Sequence, residues 1–517
     1  MRLQRSKYCA PVLFFVFVLL GICIYKDYGI SWDEEQQHNI GAASYEYVFH
    51  GNDELFRIGD KDYGVAFELP LIMLEKGLGL TEKRDIFLMR HISTHLLFLA
   101  GAWAFFLLIR LLLRNDVLSI LGLLLYLLHP RIYADSFYNT KDIPFLSLYS
   151  ICLYWSARAF HTGRIKDVLL LGIFSGLLIN TRIMGVMHLA LLSLFYLLDC
   201  IAAIVRKQSF LPVVRNYIVL LLVTSAVLYA SWPYLWTDPV HRFAEAWHNM
   251  AHFRWGADVF LNGKYIPGTE LPWYYAPYWF VITTPPAYLL MGVSGILCLV
   301  FLSIKTRLRY FLNCPERNVL LALATFTLPF LAVIFLHSVV YDAWRQLFFV
   351  YPAFVVLCIW GLAQIAERSR KSIVYIAAFS LIGLQGIGMM QLHPFENIYF
   401  NPFVSKKPEQ VRQYLEMDYW GLSFKQSFEY LLAHDTSSHI RIAFRERPCE
   451  ANARILFPGR KIECTRIPWD TLTPNKKIAD YFITNYRMHP DDFENCTGKE
   501  IHSIYVNNSR INTIFKL

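Results

Sequence analysis

Long apolar stretches dominate the chain, and they decide what it can fold into before any motif is considered. A helix needs about 20 residues to cross the hydrocarbon core of a bilayer, and only helices and closed barrels satisfy their backbone there. Eleven stretches read as spans: 8–25, 86–109, 117–134, 143–160, 168–181, 184–205, 216–236, 276–303, 318–338, 346–366 and 372–391. The fifth and sixth are divided at Arg182 and Gly185. Composition agrees: 55% of the 517 residues are hydrophobic and 17% charged, against about 25% charged in an ordinary soluble domain. Disorder, collagen-like repeats and a small disulfide-stapled module are excluded by the same figures.

The placement of charge predicts an orientation. Cytoplasmic loops carry an excess of Lys and Arg. With Arg2, Arg5 and Lys7 inside, every second loop is basic, through Arg110 and Arg114, Arg164 and Lys166, Arg206 and Lys207, Lys305 to Arg317, and Arg368 to Lys371. The alternate loops hold the acids, among them Asp33, Glu34, Glu35, Asp135, Asp142, Asp238 and Asp342. An N-in, C-out topology follows. The first stretch is as long as a full span and ends in Tyr25-Lys26-Asp27 with no small-residue cleavage site, so it reads as a retained helix.

Two domains are expected: a membrane body over 1–391, with its first outer loop at 26–85, and a small α/β domain over 392–517 on the outer face. The second shows helical periodicity at Ser423–His434 and strand-like runs at 440–444, 462–467, 481–484, 501–506 and 511–515. Asn507-Asn508-Ser509 marks a hairpin between the last two. Seven of the ten cysteines lie in or near spans and read as small buried hydrophobes. Cys449 and Cys464 bracket a strand-loop-strand where an outer compartment permits a disulfide. Asn495-Cys-Thr and Asn507-Asn-Ser match the glycosylation sequon, which matters only in a eukaryotic lumen.

Candidate chemistry gathers on the acidic face. The long first outer loop opens with Ser31-Trp32-Asp33-Glu34-Glu35, which reads either as a capped helix start or as a general base or metal ligand at the membrane mouth. The second outer loop, His129 to Pro144, places Asp135, Asn139, Lys141 and Asp142 between two spans, where charge is costly and marks function. Snorkelling accounts for Lys141 but poorly for Asp142. Asn180-Thr-Arg182, Tyr341 to Gln346, and His248, His252, Arg254 and Lys264 of the loop 237–275 share this face. Arg182 and Arg345 suit a phosphate, which their planar forks bind through several hydrogen bonds, or else form a structural ion pair with Asp342.

In this order the fragments resemble the membrane-embedded glycosyltransferases of the GT-C superfamily. They are most similar to the branch (family 39-like) of protein O-mannosyltransferases and bacterial aminoarabinose transferases. The resemblance rests on Asp33-Glu34, Asn139-Thr-Lys-Asp142, Thr181-Arg182, Thr283-Thr-Pro-Pro286 and Trp344-Arg345-Gln, with His393 to Asn401 and Asp418-Tyr-Trp-Gly421 in the tail. It implies a GT-C-like α-helical polytopic membrane protein of about eleven transmembrane helices with a small C-terminal α/β domain. It implies an inverting transfer of a sugar from a polyprenyl phosphate to an acceptor hydroxyl of a glycan, lipid or protein. Asp33, Glu34 and Asp142 become the catalytic candidates, and Lys141, Arg182 and Arg345 the donor-phosphate ligands. Family members differ in metal dependence, so a divalent cation stays open, and no nucleic-acid partner is expected. The tail departs from the large luminal domain of the protein-mannosyltransferase branch, which weighs against a protein acceptor. The implied place is a bacterial inner membrane with the site facing the periplasm. The rival reading is a transporter or flippase of a lipid-linked or anionic substrate; no half-to-half repeat of the kind common in transporters is present.

Overall fold

The computed structural model describes residues 2–251, 256–306, 316–404, 407–459, 462–468, 478–488 and 498–517. His252, Arg254, Cys314 and the Asn495 sequon lie outside them. All eleven apolar stretches are helical over most of their length. Among the described residues, seven helices are long and apolar enough to cross a membrane, or eight if the bent pair Asp116–Leu127 and Pro130–Tyr138 counts as one span. The expected eleven is therefore not reached, for three physical reasons. Tyr8–Ile24 and Ile165–Thr181 are short. Serines, tyrosines and Arg158 lower the hydropathy of Asp142–Thr162. Proline bends a further stretch, where Pro130 opens a new helix at 64°; Pro285-Pro286 divides Tyr275–Thr283 from Pro286–Thr306 as well, but the latter is still long enough to span.

Burial sets the order of the bundle. The helix running from Arg345 to Arg368 is its axis, since 94% of its apolar window is covered, whereas Leu211–Ser231 and Lys371–Leu392 are 17% covered and lie at the rim. Backbones meet where side chains vanish: a Cβ on Gly361 would fall 2.3 Å from the Gly295 Cα, so Pro286–Thr306 crosses the axial helix at a glycine pair. Small residues are the usual means of close helix approach in lipid.

Outside the bundle, a hairpin forms from β1 (Asp258–Leu261) and β2 (Lys264–Pro267). The C-terminal region folds as a five-stranded mixed sheet of β3 (Ile440–Phe444), β4 (Ile462–Arg466), β5 (Tyr481–Thr484), β6 (Lys499–Val506) and β7 (Ser509–Lys516), in the order β4-β3-β5-β7-β6. β3 is parallel to both neighbours, and β7 is antiparallel to β5 and β6. The β6–β7 turn has Asn507 and Asn508 at positive φ, the conformation that asparagine tolerates best after glycine. The helices Phe424–His434 and Pro448–Leu456 pack on the sheet; the second carries no clear apolar period in the sequence. Cys449 and Cys464 are both free thiols.

This domain is tied to the start of the first outer loop. The Asn452 carboxamide exchanges hydrogen bonds of 2.9 Å with both the N–H and the carbonyl of Ile30. Arg454 pairs with Glu35 at 2.5 Å. His393, just past the last membrane helix, bridges Asp27 at 3.0 Å and Glu396 at 2.9 Å. Burial works against a charge on His393, but its hydrogen bonds and the two carboxylates outweigh that and raise its pKa to about 8. A raised pKa stabilises the fold below the free histidine value of 6.5 and loses that contribution as pH climbs through about 8. The melting temperature of detergent-solubilised protein is expected to fall between pH 6.5 and 8.5, by less in His393→Gln; equal slopes would deny the bridge a part in stability.

Candidate active site

The acidic doublet at the membrane mouth divides into two side chains with opposite directions. Helix Glu34–His50 begins there with Asp33 at its N-cap position, yet the Asp33 carboxylate makes no capping hydrogen bond. Capping falls to Glu34 instead: its Oε1 accepts the Ser31 N–H at 2.6 Å, and its Oε2 lies 2.9 Å from His91 Nε2. Glu34 is fully buried, with both oxygens engaged by protein groups. Asp33 is left facing out, its side chain 27% exposed.

Two loops bring cations to that carboxylate, and a third adds Arg182 to the cluster. Lys141 Nζ donates to Asp33 Oδ2 at 3.0 Å, and Arg345 Nη2 lies 3.6 Å from the same oxygen. Arg345 also donates to Asp142 Oδ2 at 3.0 Å and to Asp342 Oδ2 at 3.2 Å. Arg182 pairs with the other Asp142 oxygen. Asn139 fixes the loop, accepting the Asp142 N–H at 2.8 Å and donating at 3.0 Å to the carboxylates of both Asp135 and Asp142. Asp342 and Ala343 both sit at positive φ, and Asp342 is held at its second oxygen by Arg487 Nη2, 2.8 Å away. Arg182 and Arg345 each retain a buried Nε–H without a hydrogen-bond partner.

Electrostatics separate the roles further. Burial alone would raise the Asp33 pKa, but Lys141 and Arg345 hold it down to about 2, with Arg487 adding to them. Lys141 responds in the opposite sense: burial opposes its charge, and Asp33 more than offsets that to raise its pKa. Asp33 is thus a carboxylate throughout the working pH range. Asp142 is 1% exposed with both oxygens engaged, so its place is that of a counter-charge that arranges the arginines.

Two cavities meet at this cluster. A polar one of about 650 Å³ is lined by Trp32, Asp33, Asp62, Lys141, Asn249 and Arg447, among others. An apolar one of about 150 Å³ is lined by Arg182, Met187, Trp247, Val333, Leu336 and Leu347, among others. Tyr63, Met250 and Tyr341 line both and stand between them. Tyr63 is positioned by its neighbours: Gly64 packs against the Asn180 carbonyl with no room for a Cβ, and the Val65 N–H donates to Asn180 Oδ1 at 2.9 Å. Among the described residues, no group of three or more His, Cys, Asp or Glu gathers as a metal site.

All six sequence-designated residues converge, five in the charge cluster and Glu34 behind it. Arg345 pairs with Asp342, as its ion-pair reading expected, and also reaches Asp33 and Asp142. Asp135 is absorbed locally, accepting the Tyr138 hydroxyl at 2.8 Å. His248 and Lys264 are exposed and take no part in the cluster. Arg487 and Tyr63 escaped the sequence reading; Trp32 and Trp420, whose rings lie 4.7 Å from the guanidinium groups of Arg487 and Arg345, entered it only as members of quoted motifs. The one signal for Arg487 is its place just past the end of a strand in a partly parallel sheet, where ligand loops concentrate.

Removing Asp142 tests the cluster. Asp142→Ala leaves Arg182 and Arg345 buried without their shared counter-charge, a change that typically costs about 3–5 kcal/mol. Denaturant titration in detergent should show a loss of that order. A loss below about 1 kcal/mol, the size of an exposed pair, would mean that the arginines are solvated.

Residues 80–231 match a family model described as dolichyl-phosphate-mannose-protein mannosyltransferase. A search of curated proteins gives no match. Among solved structures, the chain is similar to ArnT from Cupriavidus metallidurans in the apo state, at 11% identity over 98% of this chain and 98% of that chain, with a TM-score of 0.49. It is similar to the same protein bound to undecaprenyl phosphate, at 14% identity over 83% of this chain and 73% of that chain, with a TM-score of 0.47. It is also similar to the archaeal oligosaccharyltransferase AglB from Archaeoglobus fulgidus, in complex with an inhibitory peptide and a dolichol-phosphate, at 10% identity over 93% and 70% of the two chains and a TM-score of 0.45. At these scores the likeness stops short of establishing a common fold. The family match covers the bent helix pair and the Lys141, Asp142 and Arg182 part of the cluster; over that segment the chain resembles the protein O-mannosyltransferase family, as its motifs led one to expect.

Proposed function

We propose that the protein transfers a sugar from a polyprenyl-phosphate donor to an acceptor hydroxyl, in one displacement with inversion. The observation that carries this is Asp33: a part-exposed carboxylate on the wall of a polar cavity, held by Lys141 and Arg345, with Arg182 of the same charge cluster lining an adjoining apolar cavity. The polar space suits a sugar and its acceptor. The apolar space suits the first isoprene units of a lipid, with the phosphate between them at Lys141, Arg182 and Arg345. The description of the matched family supports a lipid-phosphate-linked sugar as donor.

The chemistry follows from the charges. Asp33 is a poor base while Lys141 and Arg345 hold its pKa at about 2. A donor phosphate binding to those cations takes over part of their charge, and the Asp33 pKa rises toward the range in which it can accept a proton. Donor binding therefore prepares the base for the acceptor. The acceptor O–H gives its proton to Asp33 as its oxygen attacks the anomeric carbon. The bond from that carbon to the phosphate oxygen breaks, and polyprenyl phosphate leaves with its added negative charge met by the same cations. Asp142 keeps Arg182 and Arg345 in place, and Glu34 fixes the helix start that presents Asp33. The alternation of basic and acidic loops supports an N-in, C-out chain with this site on the outer face, as in a bacterial inner membrane.

Asp33→Asn is nearly isosteric but accepts no proton at neutral pH. In detergent, acceptor-dependent release of polyprenyl phosphate should fall by about two to four orders of magnitude, while binding of polyprenyl phosphate is retained. Wild-type turnover in a folded Asp33→Asn protein would remove the base from this mechanism. A wild-type protein that binds the lipid but cleaves it with no hydroxyl acceptor would favour a transporter, because detergent abolishes any gradient while leaving bond cleavage possible.

A further inference from the structure

We propose that Arg487 of the C-terminal domain is a positioning residue for the transfer site, acting on Arg345 through Asp342 and on Asp33 through Trp32. The inference rests on the transferase reading above. Arg487 lies in the segment after β5, far along the chain from the helix Lys371–Leu392, yet it is 6% exposed and packed into the charge cluster. Its Nη2 donates to Asp342 Oδ1 at 2.8 Å, and the other Asp342 oxygen accepts from Arg345 Nη2 at 3.2 Å. Its guanidinium lies 4.7 Å from the ring centre of Trp32, the residue before Asp33. Its Nη1 donates to the Tyr419 carbonyl, and its Nε stands 3.3 Å from Glu416 Oε1. One planar fork thus joins the membrane body, the first outer loop and the tail, a task for which a lysine has neither the width nor the number of donors.

Backbone conformation points the same way. Tyr486 and Met488 flank Arg487 at φ of 61° and 60°, and its partner Asp342 and Ala343 stand at 53° and 65°. Four non-glycine residues in the left-handed region, on two loops that meet in one ion pair, hold strain that only a demanding contact sustains. The pair also has an electrostatic task. Arg345 faces Asp33, Asp142 and Asp342; with Arg487 in place, Asp342 is shared between two arginines, and Arg345 is free to lean toward Asp33. Without Arg487, Asp342 draws Arg345 to itself and away from the reacting phosphate.

A double-mutant cycle with Arg487→Gln and Asp342→Asn tests this, reading kcat and KM for polyprenyl-phosphosugar cleavage together with thermal melting in detergent. Arg487→Gln should lower kcat by about a hundredfold, the usual cost of displacing a catalytic group by an ångström, with a much smaller change in donor KM. Adding Asp342→Asn removes the competing carboxylate and should restore part of kcat, so that the two changes are not additive. A purely structural clasp predicts the reverse: melting falls with each substitution and kcat is not rescued. That result overturns the inference, as does wild-type kcat in Arg487→Gln. If the wild-type protein itself cleaves no polyprenyl phosphosugar, the transferase reading fails and this inference falls with it.

Discussion

Taking one guanidinium out of water shapes the outer half of this molecule. Arg345 is 1% exposed, and the effective penalty for burying such an ion is several kcal/mol unless counter-charges with good geometry surround it. Three aspartates supply them, each from a different connection: Asp33 after the first helix, Asp142 in the second outer loop and Asp342 beside Arg345 itself. Because each of these carboxylates is also partly buried, each recruits a cation of its own, namely Lys141, Arg182 and Arg487. Loops far apart in sequence must then converge on one point. Four cations thus face these three aspartates, and Arg487 has Glu416 beside it as well.

The same cluster divides two solvents. Tyr63, Met250 and Tyr341 line both the polar and the apolar cavity, with Lys141 on the polar side and Arg182 on the apolar side. Lys141 lies 5.3 Å from the Tyr63 ring centre, which ties this wall to the charges it shields. An ion-paired carboxylate is chemically quiet. In the transfer proposed above that quietness has a use, since activation of an acceptor would be coupled to the arrival of an anion that competes for Lys141 and Arg345.

Much of this was legible in the sequence, and what was not has definite causes. Apolar runs of span length identify helices because lipid leaves the backbone no other local solution. They overstate the spans at Pro130, where the chain leaves the helix, at the short Tyr8–Ile24 and Ile165–Thr181, and at Asp142–Thr162, whose Ser147, Tyr149, Ser150 and Ser156 are buried in protein. Asp33, Lys141, Asp142, Arg182 and Arg345 stood out because charge beside a bilayer is costly. Adjacency in sequence could not show that Glu34 turns inward to Ser31 and His91 while Asp33 turns outward. Arg487 was hidden for another reason: an arginine in a polar tail carries no cost until the fold buries it. Asp342 appeared in the sequence as a partner for Arg345, and only the structure shows that it is shared.

The C-terminal sheet explains how so distant a residue reaches the bilayer. Its strand order turns at β3, which has parallel neighbours on both sides, and in open sheets with parallel strands the loops at the carboxyl ends beside such a reversal form the ligand edge. After β3 come Arg447, Pro448 and Ala451, which line the polar cavity; after β5 come Asn485, which donates to the Asp418 carbonyl at 2.8 Å, and Arg487. Both loops therefore face the membrane body, and the opposite orientation of the sheet would have presented strand starts with no such residues. The domain closes a cavity whose other walls come from the first outer loop and from helix Pro239–Ala251. A bundle of apolar helices alone has no means of building a polar chamber of that size above its own end. The tail is accordingly a wall of the site, and the ion pair between Arg487 and Asp342 joins that wall to the charges below it.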